Sequence, residues 1–498
     1  MPPDYPFGLI AGSQRESLHV SASRNLGLRV KPMKTQKALL SLGTSALAAA
    51  FPASAATWTS NATAGANWTV ADHWSGDIAP IAGDSLAFNP PATGGTRTTN
   101  NDFAAGTSFA NISFGGAAFV LNGNSIVLTG NITNSAGNPT GINLATELSS
   151  GNHLFSMATS TRIDFNGVIS GTGSLEVVGP GSLRLQTNAK TYSGNTTVTS
   201  GTLDLNLANV LPSGTGKGDV TVTSGAFLGL RFGQNINGLS GGGSISAFSS
   251  GTKNINLGNN DANGSFSGSI ANGSGAISLT KSGSGTQTLG GNSTYTGATT
   301  VSAGTLLVNG SLGTTAVTAN GGTLGGTGTT GGNVTVNAAN FAAGASAGSL
   351  EIAGNLNLTA SSTTRIELGG TAFTLNGTED YDRTKLTGAT SALTLGSGTL
   401  SISLINGFAL AGNQAFGILQ LGDTASSSGT FSGLTSDGAL VGNFGGVDLF
   451  ITYSGSFGDS GTVALTGGND IVLYTVPEPA AAALGGLGML VLLRRRRA

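Results

Sequence analysis

The stretch Tyr295-Thr-Gly-Ala-Thr-Thr-Val-Ser-Ala-Gly-Thr-Leu-Leu-Val-Asn309 decides the fold, because it repeats an earlier stretch, Tyr192-Ser-Gly-Asn-Thr-Thr-Val-Thr-Ser-Gly-Thr-Leu-Asp-Leu-Asn206. Nine of the fifteen positions are identical at an offset of 103 residues. Each copy places β-forming residues on both sides of a glycine, which predicts a strand, a turn and a second strand. Because no reactive group recurs with the phrase, the repetition indicates a repeated structural unit.

The two copies resemble the autotransporter-associated β-strand repeat, also called the passenger-associated repeat of bacterial surface proteins. The resemblance is strongest from Thr288 to Gly310 and is weaker from Leu185 to Asn206. It places repeats near residues 170–206 and 277–310. The resemblance implies a right-handed parallel β-helix on an exported passenger, and it implies no enzymatic activity.

The composition favours an all-β chain over a disordered one. The 498 residues include 82 Gly but only 13 Pro, and 38% are hydrophobic. Val, Ile, Leu and Phe alternate with Thr and Ser, and a helical period is missing between residues 56 and 475. A solenoid also escapes the size limit of a single globular core, because each coil packs only on its neighbours. We therefore expect one β-helix region over residues 56–475.

The charge distribution argues against a nucleic-acid partner. Residues 56–475 contain 11 Lys plus Arg and 20 Asp plus Glu, a net charge of −9, whereas the whole chain has a net charge of −2. The basic residues are concentrated at the two ends of the chain. An acidic and sparsely charged body lacks the basic surface that nucleic-acid binding requires.

The N-terminal region has the pattern of a secretory signal peptide at residues 33–55. Lys34 and Lys37 precede an apolar run over residues 38–50, and the small residues Ala53 and Ala55 frame a cleavage site. The secretion machinery is therefore an expected partner. We predict that translation starts at Met33 and that residues 1–32 are a mis-called start; the alternative is an extended leader.

The C-terminal residues 476–498 combine three signals. A Pro-Glu-Pro motif is followed by an uncharged apolar run over residues 480–493 and then by a basic end. The residues of the motif are Pro477, Glu478 and Pro479, and those of the basic end are Arg494, Arg495, Arg496 and Arg497. The pattern resembles the PEP-CTERM sorting signal, which implies a transient inner-membrane anchor that an exosortase-type membrane peptidase cuts. A permanent transmembrane anchor is the alternative.

Two groups of residues are candidates for a binding site. Trp58, Trp68 and Trp74 are the three tryptophans of the chain, and they either stack on sugar rings or plug the end of the solenoid. His73 beside Asp72 is interpreted as turn chemistry, and His153 lies 80 residues further on without a catalytic motif.

The second group is an acidic cluster at Glu379, Asp380 and Asp382, next to Arg383 and Lys385. Alternating carboxylates provide the oxygen ligands that calcium prefers, but such a cluster is also typical of a solvated turn. We expect no metal ion and no cofactor.

Two functions remain open at this point. The first is a non-enzymatic exported protein for adhesion, surface coating or association with exopolysaccharide. The alternative is a β-helix carbohydrate-active enzyme or polysaccharide-binding protein, which requires the tryptophans or the acidic cluster to line a groove. The scarcity of catalytic residue types favours the first function, with a final location at the cell surface or outside the cell.

Overall fold

The computed structural model describes residues 55–59, 65–89, 95–135, 137–344, 346–372, 380–422, 425–458 and 462–477. All of them belong to the compact unit that runs from Pro52 to Ala498. Within these ranges the secondary structure is β, apart from one short 3-10 helix at Ala71–His73. No helix of this part of the chain is long and apolar enough to span a membrane.

Short strands with alternating burial stack in parallel to form a three-sided β-solenoid. Strand Thr196–Val198, for example, buries Thr196 and Val198, and it pairs in parallel and in register with Val220–Val222. Alternation places one set of side chains in the interior and the other in solvent. The prediction of an all-β parallel solenoid is therefore confirmed.

The first face begins with the N-terminal strand and continues across a parallel bridge between Gly241 and Phe266. Its strands are Ala56–Trp58, Leu86–Phe88, Ile112–Phe114, Ile132–Asn134, Asn152–Met157, Ser174–Val178, Thr196–Val198, Val220–Val222, Leu239–Ser240, Gly264–Phe266, Thr286–Leu289, Thr305–Val308, Thr323–Gly326, Asn340–Ala343, Thr363–Leu368 and Thr399–Leu404.

The second face continues where the Thr294 amide donates to the Ile270 carbonyl oxygen. Its strands are Ala66–Asn67, Arg97–Asn101, Phe119–Gly123, Thr140–Ile142, Arg162–Phe165, Ser182–Leu185, Thr202–Leu205, Phe227–Leu230, Ser244–Ala247, Ser269–Ala271, Asn292–Ser293, Ser311–Leu312, Thr329–Thr330, Ser349–Ile352, Arg383–Leu386 and Ala415–Gln420.

The third face has two runs of strands separated by irregular coils. The first run is Thr107–Phe109, Ile126–Leu128, Thr146–Leu148 and Ile169–Gly171. The second run is Gln234–Ile236, Lys253–Leu257, Ile277–Lys281, Thr299–Val301, Val317–Ala319, Val334–Val336, Leu356–Leu358, Ala392–Gly396 and Ser426–Thr430. Between the runs, irregular backbone continues the stack, since the Thr191 amide donates to the Ile169 carbonyl oxygen.

The two copies of the repeated phrase lie on different faces. In the first copy, Thr196–Val198 is on the first face and Thr202–Leu205 is on the second. In the second copy, Thr299–Val301 is on the third face and Thr305–Val308 is on the first. The phrase therefore encodes two strands and the corner between them, and it fits more than one corner of the coil.

A tyrosine and a threonine four residues apart stabilise both copies from inside. The Tyr192 and Thr196 hydroxyl oxygens are 2.5 Å apart, and those of Tyr295 and Thr299 are 2.6 Å apart. Both tyrosine rings are fully buried. Each phenol thus fills the interior while its hydroxyl group has a hydrogen-bond partner, which a buried polar group needs.

The corner glycine of each copy has a left-handed backbone. Gly201 has a φ of 72° and Gly304 has a φ of 64°. A Cβ atom at Gly304 would lie 2.4 Å from the carbonyl oxygen of Gly283 on the adjacent coil. The repeated glycine is therefore required both by its dihedral angle and by the close approach of the neighbouring backbone.

Antiparallel strands follow the parallel coils at the C-terminal end, so the uniform parallel β-helix that we expected up to residue 475 needs correction. Ala415–Gln420 pairs antiparallel with Asp470–Thr475, which pairs in turn with Val447–Phe457. The remaining antiparallel strands are Ala439–Phe444 and Val463–Ala464. For one of these pairs the physical reason is local: the two-residue Gly445-Gly446 turn, where both φ angles are positive, joins Ala439–Phe444 to Val447–Phe457 as an antiparallel hairpin.

Candidate functional site

The three tryptophans lie inside the first coils and are fully buried. Trp58 and Trp74 pack edge to face with their ring centroids 5.0 Å apart. The Trp68 Nε1 donates to the Thr99 hydroxyl over 2.9 Å, and the Trp74 Nε1 donates to the Trp68 carbonyl oxygen over 2.8 Å. The hypothesis of a sugar-stacking platform is therefore wrong for this trio, because no ring face is open to a ligand. Their burial in the first coils fits the end-plug interpretation.

The two histidines of the described residues make backbone contacts. The His73 Nδ1 lies 2.8 Å from the Asn67 carbonyl oxygen, and the exposed Asp72 carboxylate is 3.9 Å from the His73 Nε2. His73 ends the short 3-10 helix, as turn chemistry predicts. The buried His153 places its Nδ1 2.6 Å from the Gly130 carbonyl oxygen and its Nε2 3.0 Å from the Ser149 carbonyl oxygen. Both imidazoles thus hold turns of the coil.

The acidic cluster connects loops through backbone amides. Asp382 is buried; its Oδ1 accepts from the Gly348 amide over 3.0 Å and its Oδ2 accepts from the Glu367 amide over 2.9 Å. The Asp380 Oδ2 accepts from the Ala372 amide over 3.0 Å. Glu379 lies outside the described residues. Within the described part of the chain, no three His, Cys, Asp or Glu side chains are grouped to hold a metal ion.

Lys190 is a buried base whose partners are carbonyl oxygens. Its Nζ donates to the carbonyl oxygens of Gly167, Gln186 and Phe165 over 2.6, 3.2 and 3.3 Å. The ammonium group also lies 5.6 Å from the centre of the Phe165 ring. Burial lowers the pKa of Lys190 from 10.5 to about 7, because the charged form is separated from water. Lys190 lies in the irregular backbone of the third face. Its ammonium group connects this backbone to the carbonyl oxygens of Phe165 and Gly167 on the preceding coil.

Arginine and aspartate side chains alternate along the outer side of the second face. The pairs Asp164 and Arg184, and Arg184 and Asp204, are in register on adjacent strands. The Arg184 Nε donates to Asp204 over 2.8 Å, and the Arg231 Nε donates to the same carboxylate over 2.9 Å. Arg162 adds a 2.8 Å ion pair with Asp164. This charge ladder has three arginines and two aspartates.

Two exposed phenylalanines lie beside the charge ladder. Phe227 is 47% exposed and Phe232 is 48% exposed. They are the two aromatic members of the group of exposed large apolar side chains in the described part of the chain. These phenylalanines were not predicted as site residues. The alternation in Phe227-Leu-Gly-Leu-Arg231 does indicate that Phe227 is exposed, because the two leucines point inward and Phe227 and Arg231 therefore point outward.

The predicted processing signals lie almost wholly beyond the described residues. Outside them are Ala53, Glu478, Pro479, Arg494, Arg495, Arg496 and Arg497. Ala55 and Pro477 are described, and both are exposed. The structure thus places the two flanks of the solenoid in solvent, next to the predicted cleavage sites.

The repeats in this geometry match a known family model. Residues 175–205 and 279–308 match the Passenger-associated-transport-repeat. The chain carries passenger-associated repeats. Each matched segment covers more than one full coil and includes the buried tyrosine and the corner glycine described above. The match identifies the structural unit of the solenoid and covers a minor part of the chain.

A curated relative carries the same kind of similarity. The chain is 36% identical over 152 residues to the Adhesin BmaC autotransporter of Brucella suis biovar 1 (strain 1330). The aligned region is 30% of this chain and 4% of the relative. The chain therefore spans a small fraction of the length of that adhesin.

Proposed function

We propose that the protein is an exported, non-enzymatic cell-surface or extracellular-matrix protein that acts in adhesion, surface coating or association with exopolysaccharide. The observation that carries this proposal is the presence of two passenger-associated repeats within the solenoid. The similarity to an adhesin supports an adhesive role. In such a role the solenoid is a rigid support that displays a long polar surface.

Asparagine side chains on successive coils form hydrogen-bonded ladders on the polar surface, at the corners of the solenoid. The Asn143 side-chain amide donates to the Asn122 side-chain oxygen over 2.6 Å, and the Asn166 amide donates to Asn143 over 2.6 Å. These contacts connect successive coils in solvent. A repeated row of amide groups can make many weak contacts with a polymer or another cell surface, and the number of simultaneous contacts raises the overall affinity.

Processing at both ends completes the proposal. The secretion machinery cuts after Ala55, and an exosortase-type peptidase acts at the Pro477-Glu478-Pro479 motif while the basic end is held at the inner membrane. One structural fact favours a cut there: the last strand, Asp470–Thr475, ends just before the exposed Pro477. Cleavage at the motif therefore leaves every described strand intact.

Binding of a polysaccharide without catalysis is the second candidate function. The exposed Phe227 and Phe232 favour it, because aromatic faces in solvent are suited to the apolar faces of sugar rings. The tryptophans and the acidic cluster do not support the enzymatic form of this alternative, because their polar groups are engaged in structural contacts.

Surface labelling of intact cells tests the proposed function. A membrane-impermeant amine reagent is added to cells that express the chain and to cells that express a variant lacking residues 33–55. The account predicts labelling of the parent chain only, together with attachment of those cells to a surface that the variant cells do not bind. Equal and background labelling of both would refute export. Labelling without any change in attachment would refute the adhesive role.

A further inference from the structure

A strip of aromatic and basic side chains crosses the outer side of the second face. We define the aromatic and arginine strip by its members, which are Arg184, Phe227, Arg231, Phe232 and Phe248. Its centre is strand Phe227–Leu230, which lies between the strands Thr202–Leu205 and Ser244–Ala247. The members of the strip therefore come from three coils, and a fourth coil, between those of Arg184 and Phe227, carries the Asp204 carboxylate.

The aromatic part of the strip has two exposed rings and one half-buried ring. Phe227 begins strand Phe227–Leu230, Phe232 follows two residues after its end, and Phe248 is the half-buried ring. Between them Gly229 has no side chain, and a Cβ atom there would lie 2.2 Å from the Phe248 ring. The Phe248 ring thus lies directly on the backbone of Gly229. Exposure of these rings to water is unfavourable, and a ligand that covers them makes binding more favourable.

The charged part of the strip leaves positive groups at the surface. The Arg184 and Arg231 side chains are 21% and 29% exposed, whereas the Asp204 carboxylate that they share is 5% exposed. Among the described residues, the Nη groups of Arg184 and the Nη1 of Arg231 have no hydrogen-bond partner. The Arg184 Nε also lies 3.9 Å from the Asp164 carboxylate, so the charge ladder of three arginines and two aspartates has a net charge of +1 on a body whose net charge is negative.

We propose that this strip binds an acidic polysaccharide. The two Nη groups of Arg184 donate a pair of hydrogen bonds to the carboxylate of a uronic acid unit, the Nη1 of Arg231 donates to a second carboxylate, and the phenylalanine rings cover the apolar faces of the sugar rings. The inference rests on the proposed function in one respect, since an extracellular location gives the strip access to such a polymer. Double-stranded nucleic acid is disfavoured as the occupant because it carries about one charge per 1.7 Å of helix axis, a density that two guanidinium groups on an acidic body do not match.

Binding of the purified full chain to polygalacturonate tests the proposal, with dextran as the neutral comparison. The variants are Phe227→Ala with Phe232→Ala, and Arg184→Gln with Arg231→Gln. We expect the phenylalanine pair to weaken binding at least about tenfold, because each of the two rings loses roughly half of a phenylalanine burial. The arginine pair should weaken binding at least as much and remove its dependence on salt.

Matched controls come from other exposed positions. Ile78→Ala with Ile81→Ala removes two exposed apolar side chains, and Arg365→Gln removes an exposed guanidinium from the first face. These controls should bind polygalacturonate like the parent chain. Equal weakening by the control and strip variants, equal binding to dextran and polygalacturonate, or no binding to polygalacturonate would overturn the proposal.

Hydroxyl-radical footprinting keeps the test valid if a strip variant fails to fold. With the parent chain, polygalacturonate should protect Phe227 and Phe232 from oxidation and should leave Trp-containing and Ile78-containing peptides unchanged. Protection spread over the whole chain, or confined to other peptides, would refute the assignment. Because these experiments use purified protein, they fail independently of export, which the labelling of intact cells measures.

Discussion

The buried Lys190 makes the stability of the solenoid depend on pH. Its folded-state pKa of about 7 is below the ordinary value of 10.5, because burial disfavours the ammonium form. Between these values the unfolded chain binds a proton that the folded chain has released, so the free energy of unfolding rises with pH. Below the folded-state pKa both states are protonated, so the free energy of unfolding no longer changes with pH through Lys190 and stays at its lower value.

The size of the effect follows from the two pKa values. The linkage relation gives a rise of about 2 kcal/mol in the free energy of unfolding between about pH 7 and about pH 9. The three carbonyl oxygens around the Nζ favour the ammonium form, so they oppose the shift and set this figure as an upper value. Lys190→Met removes the titrating group and should remove this part of the pH dependence.

Urea unfolding at several pH values, followed by circular dichroism, measures the effect. The quantity of interest is the difference in slope between the parent chain and Lys190→Met, because other titrating groups are common to both. Lys217→Met is the matched lysine-to-methionine control; the Lys217 side chain is half-buried and its Nζ donates to the Thr191 carbonyl oxygen. Identical slopes for the parent chain and Lys190→Met would refute the reasoning.

Three further substitutions test the packing of the solenoid. Trp68→Ala should lower the free energy of unfolding of the first coils by about 3–5 kcal/mol, whereas Ile78→Ala, in an exposed side chain, should change it by less than about 0.5 kcal/mol in the same urea titration. Gly304→Ala should cost more than about 1 kcal/mol, measured by thermal unfolding, and an unchanged transition would contradict the requirement for a left-handed residue. Tyr295→Phe should cost about 0.5–1.5 kcal/mol in the same thermal unfolding measurement, because it removes the hydrogen bond between the phenol and the Thr299 hydroxyl while that hydroxyl keeps its 3.2 Å contact with the Thr315 hydroxyl.

The solenoid architecture was predictable from the repeated phrase. The faces of the coil on which each copy of the phrase lies were not predictable. Thr-Thr-Val, glycine and Thr-Leu specify two strands and a corner by local preference. The two faces that these strands occupy depend on the summed lengths of the turns between Asn206 and Gly264, because each added residue moves the next strand along the coil. Local sequence preferences do not determine this summed length. Of the antiparallel C-terminal strands, only the hairpin of Ala439–Phe444 and Val447–Phe457 was predictable in principle, from Gly445-Gly446.

The candidate site was predicted in part. Three tryptophans within one short segment attracted the sugar-binding hypothesis, but large rings also suit the end of a core, and burial decided for the core. The aromatic and arginine strip was missed because its members are spread over three coils and meet only through the register of the second face. Lys190 could not be recognised as buried, since its partners are carbonyl oxygens rather than an acidic side chain.

The measurement that tests the central claim most directly is intact mass with terminal peptide mapping of the protein from the surface and medium of its native cells. The account predicts a product that starts at Ala56 and ends within Pro477–Pro479. Such a product joins export, tail processing and an extracellular role in one observation. A surface product that retains Arg494–Arg497 would contradict sorting by tail cleavage, and a product found only inside the cell with residues 33–55 attached would contradict export.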